Sequence, residues 1–209
     1  AAETQARCLM ETIATTLAEI EGVEEGELIT GEALLERGDL GRCELVKGVV
    51  VGMSPTGLNH SIIEANAAAC LRHFVRKHKL GFVGTGEGGI YTGRNPDTVR
   101  AADVFFLSHE RRGQQRGRGF MRVAPELVVE VLSPSTSGTD RREKLQAYRQ
   151  ADGLREYLII DQQQPSVERH WTNDGVTWWN ALYSSDAVPI ECLTHRLPVS
   201  AIYRDIQFT

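Results

Sequence analysis

No apolar run in the 209 residues is long enough to span a bilayer. The N-terminal stretch also lacks the basic-then-apolar pattern of a secretory signal. Both absences set the expectation of a cytoplasmic protein with no membrane partner. Cysteine is scarce: four residues, at positions 8, 43, 70 and 192, and none in a C-x-x-C pair. That spacing offers neither a zinc cage nor a disulfide framework. The six histidines show no H-x-H or H-x-x-x-H pattern, so a histidine metal site has little support. Ser133 lies in "LSPS" rather than G-x-S-x-G, which argues against a serine hydrolase. No internal repeat or low-complexity tract interrupts the chain.

What is present is ordinary for a globular domain: 41% hydrophobic and 24% charged residues, with a net charge of -5. The acidic balance argues mildly against a general nucleic-acid coat protein, yet a local basic patch can still bind phosphate. Residues 28–209 suit one domain. Residues 1–27 read as an arm: Leu9, Ile13, Leu17 and Ile20 fall at helical spacing, followed by the acidic, Gly-broken "EGVEEGE".

Further along, "RCELVKGVVVGMSP" reads as two short strands around Lys47-Gly48. "GLNHSIIEANAAACLRHFVRKHKLG" reads as a long helix, with Asn59 as N-cap, an apolar stripe through Ile63, Ala67, Leu71 and Phe74, and Gly81 as its end. Strands are predicted over Phe82–Tyr91, Ala102–Leu107, Leu127–Leu132 and "REYLIID", and a helix over Asp140–Ala151. The tail reads as an antiparallel hairpin, "SVERHW" and "VTWW" about the turn "TNDG". Trp171, Trp178 and Trp179 flank that turn, where sheet-face packing explains them better than base stacking. The fold class is α/β (α+β mixed): a mixed β-sheet flanked by helices, with an antiparallel C-terminal region.

"GTGEGG", Gly84 to Gly89, matches G-x-G-x-x-G, the dinucleotide fingerprint. That fingerprint must open a helix whose N-terminus holds a pyrophosphate. The residues that follow, "IYTGRNPDTV", cannot form one, so a glycine-rich bend in a strand is the better reading.

Glu130 poses the sharper question, because it sits inside the apolar strand "LVVEVL". Burying an ionised carboxylate costs several kcal/mol unless it is paired or bound to a metal. Asp103 stands in a second apolar run, "ADVFFL". Two such carboxylates on neighbouring strands make an oxygen site suited to Mg²⁺, which needs only one or two of them besides water and phosphate. Position 132 is Leu, so the strand supplies no second polar group on that face. The next helix could: Asp140, Lys144 and Tyr148 are spaced i, i+4, i+8 and share one side of it. A plainer reading pairs Glu130 with an internal arginine and leaves Lys144 as a surface charge. The residues alone leave both open.

The strings "RAADVFFL", "APELVVEVLSPSTSGTDRREKLQAYRQADGLREYLIID" and "GRCELVKGVVVGMSPTGLNHSII" resemble the bacterial putative-restriction-endonuclease family, once a domain of unknown function, with the PD-(D/E)xK nuclease fold. The resemblance covers roughly Ile29 to Trp179. It implies catalytic roles for Asp103, Glu130 and Lys144, with Asp103 and Glu130 as ligands of Mg²⁺ (Mn²⁺ as substitute). Lys144 then stands for the lysine of the motif, moved from strand to helix. It implies an endonuclease acting on nucleic acid, DNA foremost, and a homodimer. Glu44 matches the glutamate of the family's "YEL" element, and Glu87 falls in the strand before Asp103. Two residues depart from the pattern: Ala102 replaces the proline before the aspartate, and Cys43 replaces the tyrosine. A catalytically silent member that binds nucleic acid or a protein is the alternative.

Other residues are weaker candidates. His60 opens the long helix and could touch substrate, although capping or surface placement is the safer reading. Arg100 could pair with a site carboxylate. "RRGQQRGRGFMR" carries five arginines between the two carboxylate strands. Arg111, Arg112, Arg116 and Arg118 are its candidates for phosphate contact, against the plainer reading of a solvated loop.

Overall fold

Lys47 and Gly48 both take positive φ, 50° and 83°, the geometry of a two-residue hairpin turn. They join β1 (Cys43–Val46) to β2 (Val49–Gly52), with Val46 opposite Val49. In this computed structural model, which describes residues 27–38, 40–132 and 139–208, the hairpin begins an eight-stranded sheet. The helix expected within residues 1–27 lies outside the described residues. A short helix, α1 (Gly31–Glu36), precedes the hairpin and packs Leu34 against Leu45, Val50 and Tyr91.

The long helix, α2, spans Leu58–His78. Its N-cap is Gly57, not Asn59, which lies inside the first turn. The extended backbone of Gly57 turns its carbonyl onto the Ser61 N–H, and no side chain caps the helix. The other end also differs from expectation. Lys79 takes the left-handed conformation (φ 54°), and the Leu80 N–H closes back on the Val75 carbonyl. Gly81 instead opens β3 (Gly81–Gly93), where a Cβ would collide with the Leu107 carbonyl. The stretch Gly84–Gly89 stays within β3 as a bulge, with Gly86 at φ 75° and a register shift between Thr85 and Gly88. No dinucleotide-binding helix follows.

β4 (Thr98–Ser108) pairs along its whole length with β3. It leads into the short helix α3 (His109–Gln114), and β5 (Leu127–Leu132) follows. The helix α4 (Thr139–Gln150) then crosses to β6 (Glu156–Asp161), which lies parallel to β5; the other strand pairs among the described residues are antiparallel. β7 (Ser166–Trp171) and β8 (Trp179–Tyr183) extend the sheet, and β9 (Ala187–Ile190) with β10 (His195–Pro198) forms a separate two-stranded sheet before the final turn α5 (Val199–Ile202). The β7–β8 loop is longer than predicted. Asp174 Oδ1 accepts from the Val176 and Thr177 amides, so only Trp179 of "VTWW" joins the strand. Trp171 and Trp179 stack on the sheet, centroids 6.4 Å apart.

Alternation along β5 sorts the core. Leu127, Val129 and Val131 join the cluster formed with Ile63, Leu71 and Val75 of α2 and with Ile190, Leu197 and Ile202. Val128 joins Tyr148 of α4 and Tyr157 and Ile159 of β6. No described helix is long and apolar enough to cross a membrane.

Candidate active site

The sheet forks at β4. One edge of β4 is fully occupied by β3, so β1 and β5 must share the other. β1 takes the Thr98 end, with Leu45 opposite Val99, and β5 takes the Ser108 end, from Val104–Val129 to Phe106–Leu127. Between them the ladder is open, and its amides need other acceptors. Glu44 Oε1 accepts from the Ala101 N–H at 3.0 Å, and Asp103 Oδ2 accepts from the Val131 N–H at 2.7 Å. This is why carboxylates stand in apolar strands here: they complete the hydrogen bonding where two strands diverge. One further step in the β4–β5 register sets Asp103 opposite Glu130.

Glu130 is 6% exposed and points beneath α4. The Tyr148 hydroxyl donates to its Oε1 at 2.9 Å, and Lys144 Nζ reaches its Oε2 at 3.3 Å. The same ammonium lies 3.2 Å from Glu44 Oε1, and Arg100 holds Glu44 Oε2 at 2.7 Å. The predicted i, i+4 pairing of Lys144 with Tyr148 therefore brings both onto Glu130, and the internal arginine goes to Glu44 instead. The side chains of Asp140 and Glu87 lie outside the described residues.

The two glutamates respond in opposite directions. Burial pushes Glu130 up to about 8, the neighbouring Asp103 and Glu44 add to the rise, and Lys144 and Tyr148 only partly oppose it. For Glu44, burial also acts upward, but Lys144, Arg100 and the Ala101 amide outweigh it and hold the carboxyl below its ordinary value. Three buried carboxyls thus share two cations, Lys144 and Arg100, and burial favours the protonated form of Glu130. The donors are hard oxygens, and among the described residues no group of three or more His, Cys, Asp and Glu side chains forms a cage. That chemistry fits a cation satisfied by two carboxylates with water and phosphate, such as Mg²⁺.

His60 is neither a cap nor a surface residue: it is 3% exposed, and its Nε2 lies 3.4 Å from Asp103 Oδ2. Its Nδ1 faces Glu64 at 4.0 Å. Glu64 escaped the sequence reading. Burial and the charge of Asp103 push it up, against the pull of the Gly86 N–H. Its only signal in the sequence is the i, i+4 spacing from His60, which carries no motif.

The arginines of the 111–122 segment divide. The Arg111 guanidinium is bound by the Ala124 and Asp152 carbonyls, so it staples the loop before β5 to the turn after α4. Arg112, Arg116 and Arg118 are exposed. The segment ends against the β3 edge, where Met121 exchanges backbone hydrogen bonds with Gly89 and Tyr91.

Comparison with known proteins bears on the fold and the family. A crystal structure described as a putative nuclease belonging to DUF820, from Anabaena variabilis, superposes with a TM-score of 0.66 over 84% of this chain and 97% of that one, at 16% identity. It shows the shared fold. Two uncharacterized proteins of Synechocystis sp. are similar in sequence. Slr1290 is 34% identical over 85 residues, 40% of this chain, and the match spans only 45% of that protein. Sll1609 is 26% identical over 165 residues, 73% of this chain and 85% of that one. A family model described as "Putative restriction endonuclease" matches residues 31–198, a span that takes in the whole carboxylate–lysine cluster; the chain belongs to this family, Uma2.

Proposed function

We propose that the chain is a metal-dependent endonuclease that hydrolyses phosphodiester bonds of DNA. The observation that supports it most is the meeting of Asp103, Glu130 and Lys144 at the fork between β1 and β5, inside a family and fold associated with nucleases. Asp103 and Glu130 would hold Mg²⁺ in this reading. When bound, such an ion lowers the pKa of a coordinated water and polarises the scissile phosphate.

The chain's own residues set the stage for that chemistry. Tyr148 and Lys144 hold the two oxygens of Glu130 apart, one each, and so fix the plane of its carboxyl. Glu44, anchored by Arg100 and the Ala101 amide, holds Lys144 at the site and not in solvent. From there the ammonium can turn to a developing phosphorane charge or hold the attacking water. His60 and the Val131 amide both act on Oδ2 of Asp103 and so hold that carboxyl in place.

The test is nicking of supercoiled plasmid DNA in Mg²⁺ or Mn²⁺ by wild type, Glu130→Gln and Lys144→Ala. Cleavage by wild type that EDTA and either substitution abolish, with far-UV circular dichroism unchanged, is the expected result. Full cleavage by both variants would refute the assignment.

A further inference from the structure

Acidic residues are nearly absent from α2. Between Leu58 and His78 the sole one is Glu64, at the end beside Asp103. The C-terminal half instead carries Arg72, Arg76 and Lys77, followed by Lys79, all exposed. Among the described residues no carboxylate pairs with any of these four. Helix-end cations complement the macrodipole, which explains residues in the last turn but not Arg72, nearly two turns earlier.

A groove of about 480 Å³ runs from this basic flank to Glu64, the residue next to His60 and Asp103. It runs between α2 and the edge strand β3, from Glu64 past Ala65, Ala68 and Ala69 to Arg72, over Gly84 and Thr85. Beyond Arg72 the depression continues along Arg76 and Lys77. Small side chains keep the channel open, and positive charge lines the end away from the carboxylates.

We infer that this flank of α2 is the docking track for the DNA backbone, with Arg72, Arg76 and Lys77 on successive phosphates and the strand led past Glu64 toward Asp103 and Glu130. The inference rests on the nuclease reading. It differs from the sequence expectation, which put phosphate contact on Arg111, Arg112, Arg116 and Arg118. Arg72 to Lys77 covers about 7.5 Å at about 1.5 Å per residue, or about two phosphate steps. One strand presents a phosphate for about every 3.4 Å of helix axis, so the row matches about three. Charge complementarity, and a groove that ends at Glu64 beside the carboxylate site, select a phosphodiester backbone over an uncharged or acidic partner.

The experiment is fluorescence anisotropy of a labelled 20-base-pair DNA duplex in EDTA, over a series of salt concentrations. It compares wild type with the triple variant Arg72→Gln/Arg76→Gln/Lys77→Gln and the double variant Arg116→Gln/Arg118→Gln. Each lost phosphate contact lowers the magnitude of the log K against log salt slope by about 0.9, so the triple variant should lose between about two and three from it, with at least about tenfold lower affinity. The double variant should match wild type. Salt-dependent wild-type binding that the triple variant retains in full would overturn the docking track and leave the nuclease reading standing. Absence of wild-type binding, both in EDTA and with Mg²⁺, together with no plasmid cleavage, would overturn both.

Discussion

Glu130→Gln should stabilise the protein, and increasingly so as pH rises. In the folded chain burial holds the Glu130 carboxyl protonated up to about pH 8, against an ordinary value of 4.5. Between those values the folded state binds the extra proton, so its stability falls as pH increases. At about 1.4 kcal/mol per pH unit the gap amounts to about 1 kcal/mol at pH 5, about 3 at pH 7 and about 5 at pH 9. Glutamine keeps the shape and an acceptor for Tyr148 but cannot ionise, so it escapes this loss. Urea unfolding of wild type and variant at pH 5, 7 and 9, in EDTA, reads the difference directly. The wild type's curve should decline more steeply than the variant's across that window, the difference being the Glu130 contribution. Two parallel curves would show that Glu130 titrates normally. The proposed metal ligand would then not be the residue that strains the fold.

Three further outcomes are expected. Mn²⁺ binding followed by calorimetry should tighten about tenfold per pH unit up to about pH 8, because the ion must displace the Glu130 proton; a pH-independent affinity would point to ligands other than Glu130. Tyr148→Phe removes a buried donor to Glu130 and should cost about 1 kcal/mol in urea unfolding, with a lower metal affinity because Glu130 loses a hydrogen bond that favours its charged form. On the far side of the sheet, Arg169 lies 2.9 Å from buried Glu156, so Arg169→Met should destabilise by about 3 to 5 kcal/mol through an uncompensated charge, while plasmid cleavage per folded molecule stays unchanged.

The local elements were legible because their signals are local. The Lys47-Gly48 turn, the continuous apolar runs of β5 and β6, and the apolar stripe of α2 each follow from residues a few positions apart. The oddity of Glu130 was legible for the same reason, since a carboxylate inside "LVVEVL" demands a partner. Chemistry alone could not choose that partner. Helical spacing offered Lys144 and Tyr148, and the family resemblance raised Lys144 above a surface charge.

What the tertiary structure decided is how the carboxylates are held. Asp103 and Glu44 take backbone amides left open where β1 and β5 separate on one edge of β4, a gap that no run of residues along the chain reveals. His60 and Glu64 were invisible as a pair for the same reason. They sit one turn apart on α2, and only the docking of that helix brings them to Asp103. Arg111 shows the converse, a cation that composition offered to phosphate and that packing assigned to two backbone carbonyls. The sequence by itself determined which residues carry charge into an apolar setting. Packing across distant strands determined which of those charges face one another, because buried charges find partners through space and not along the chain.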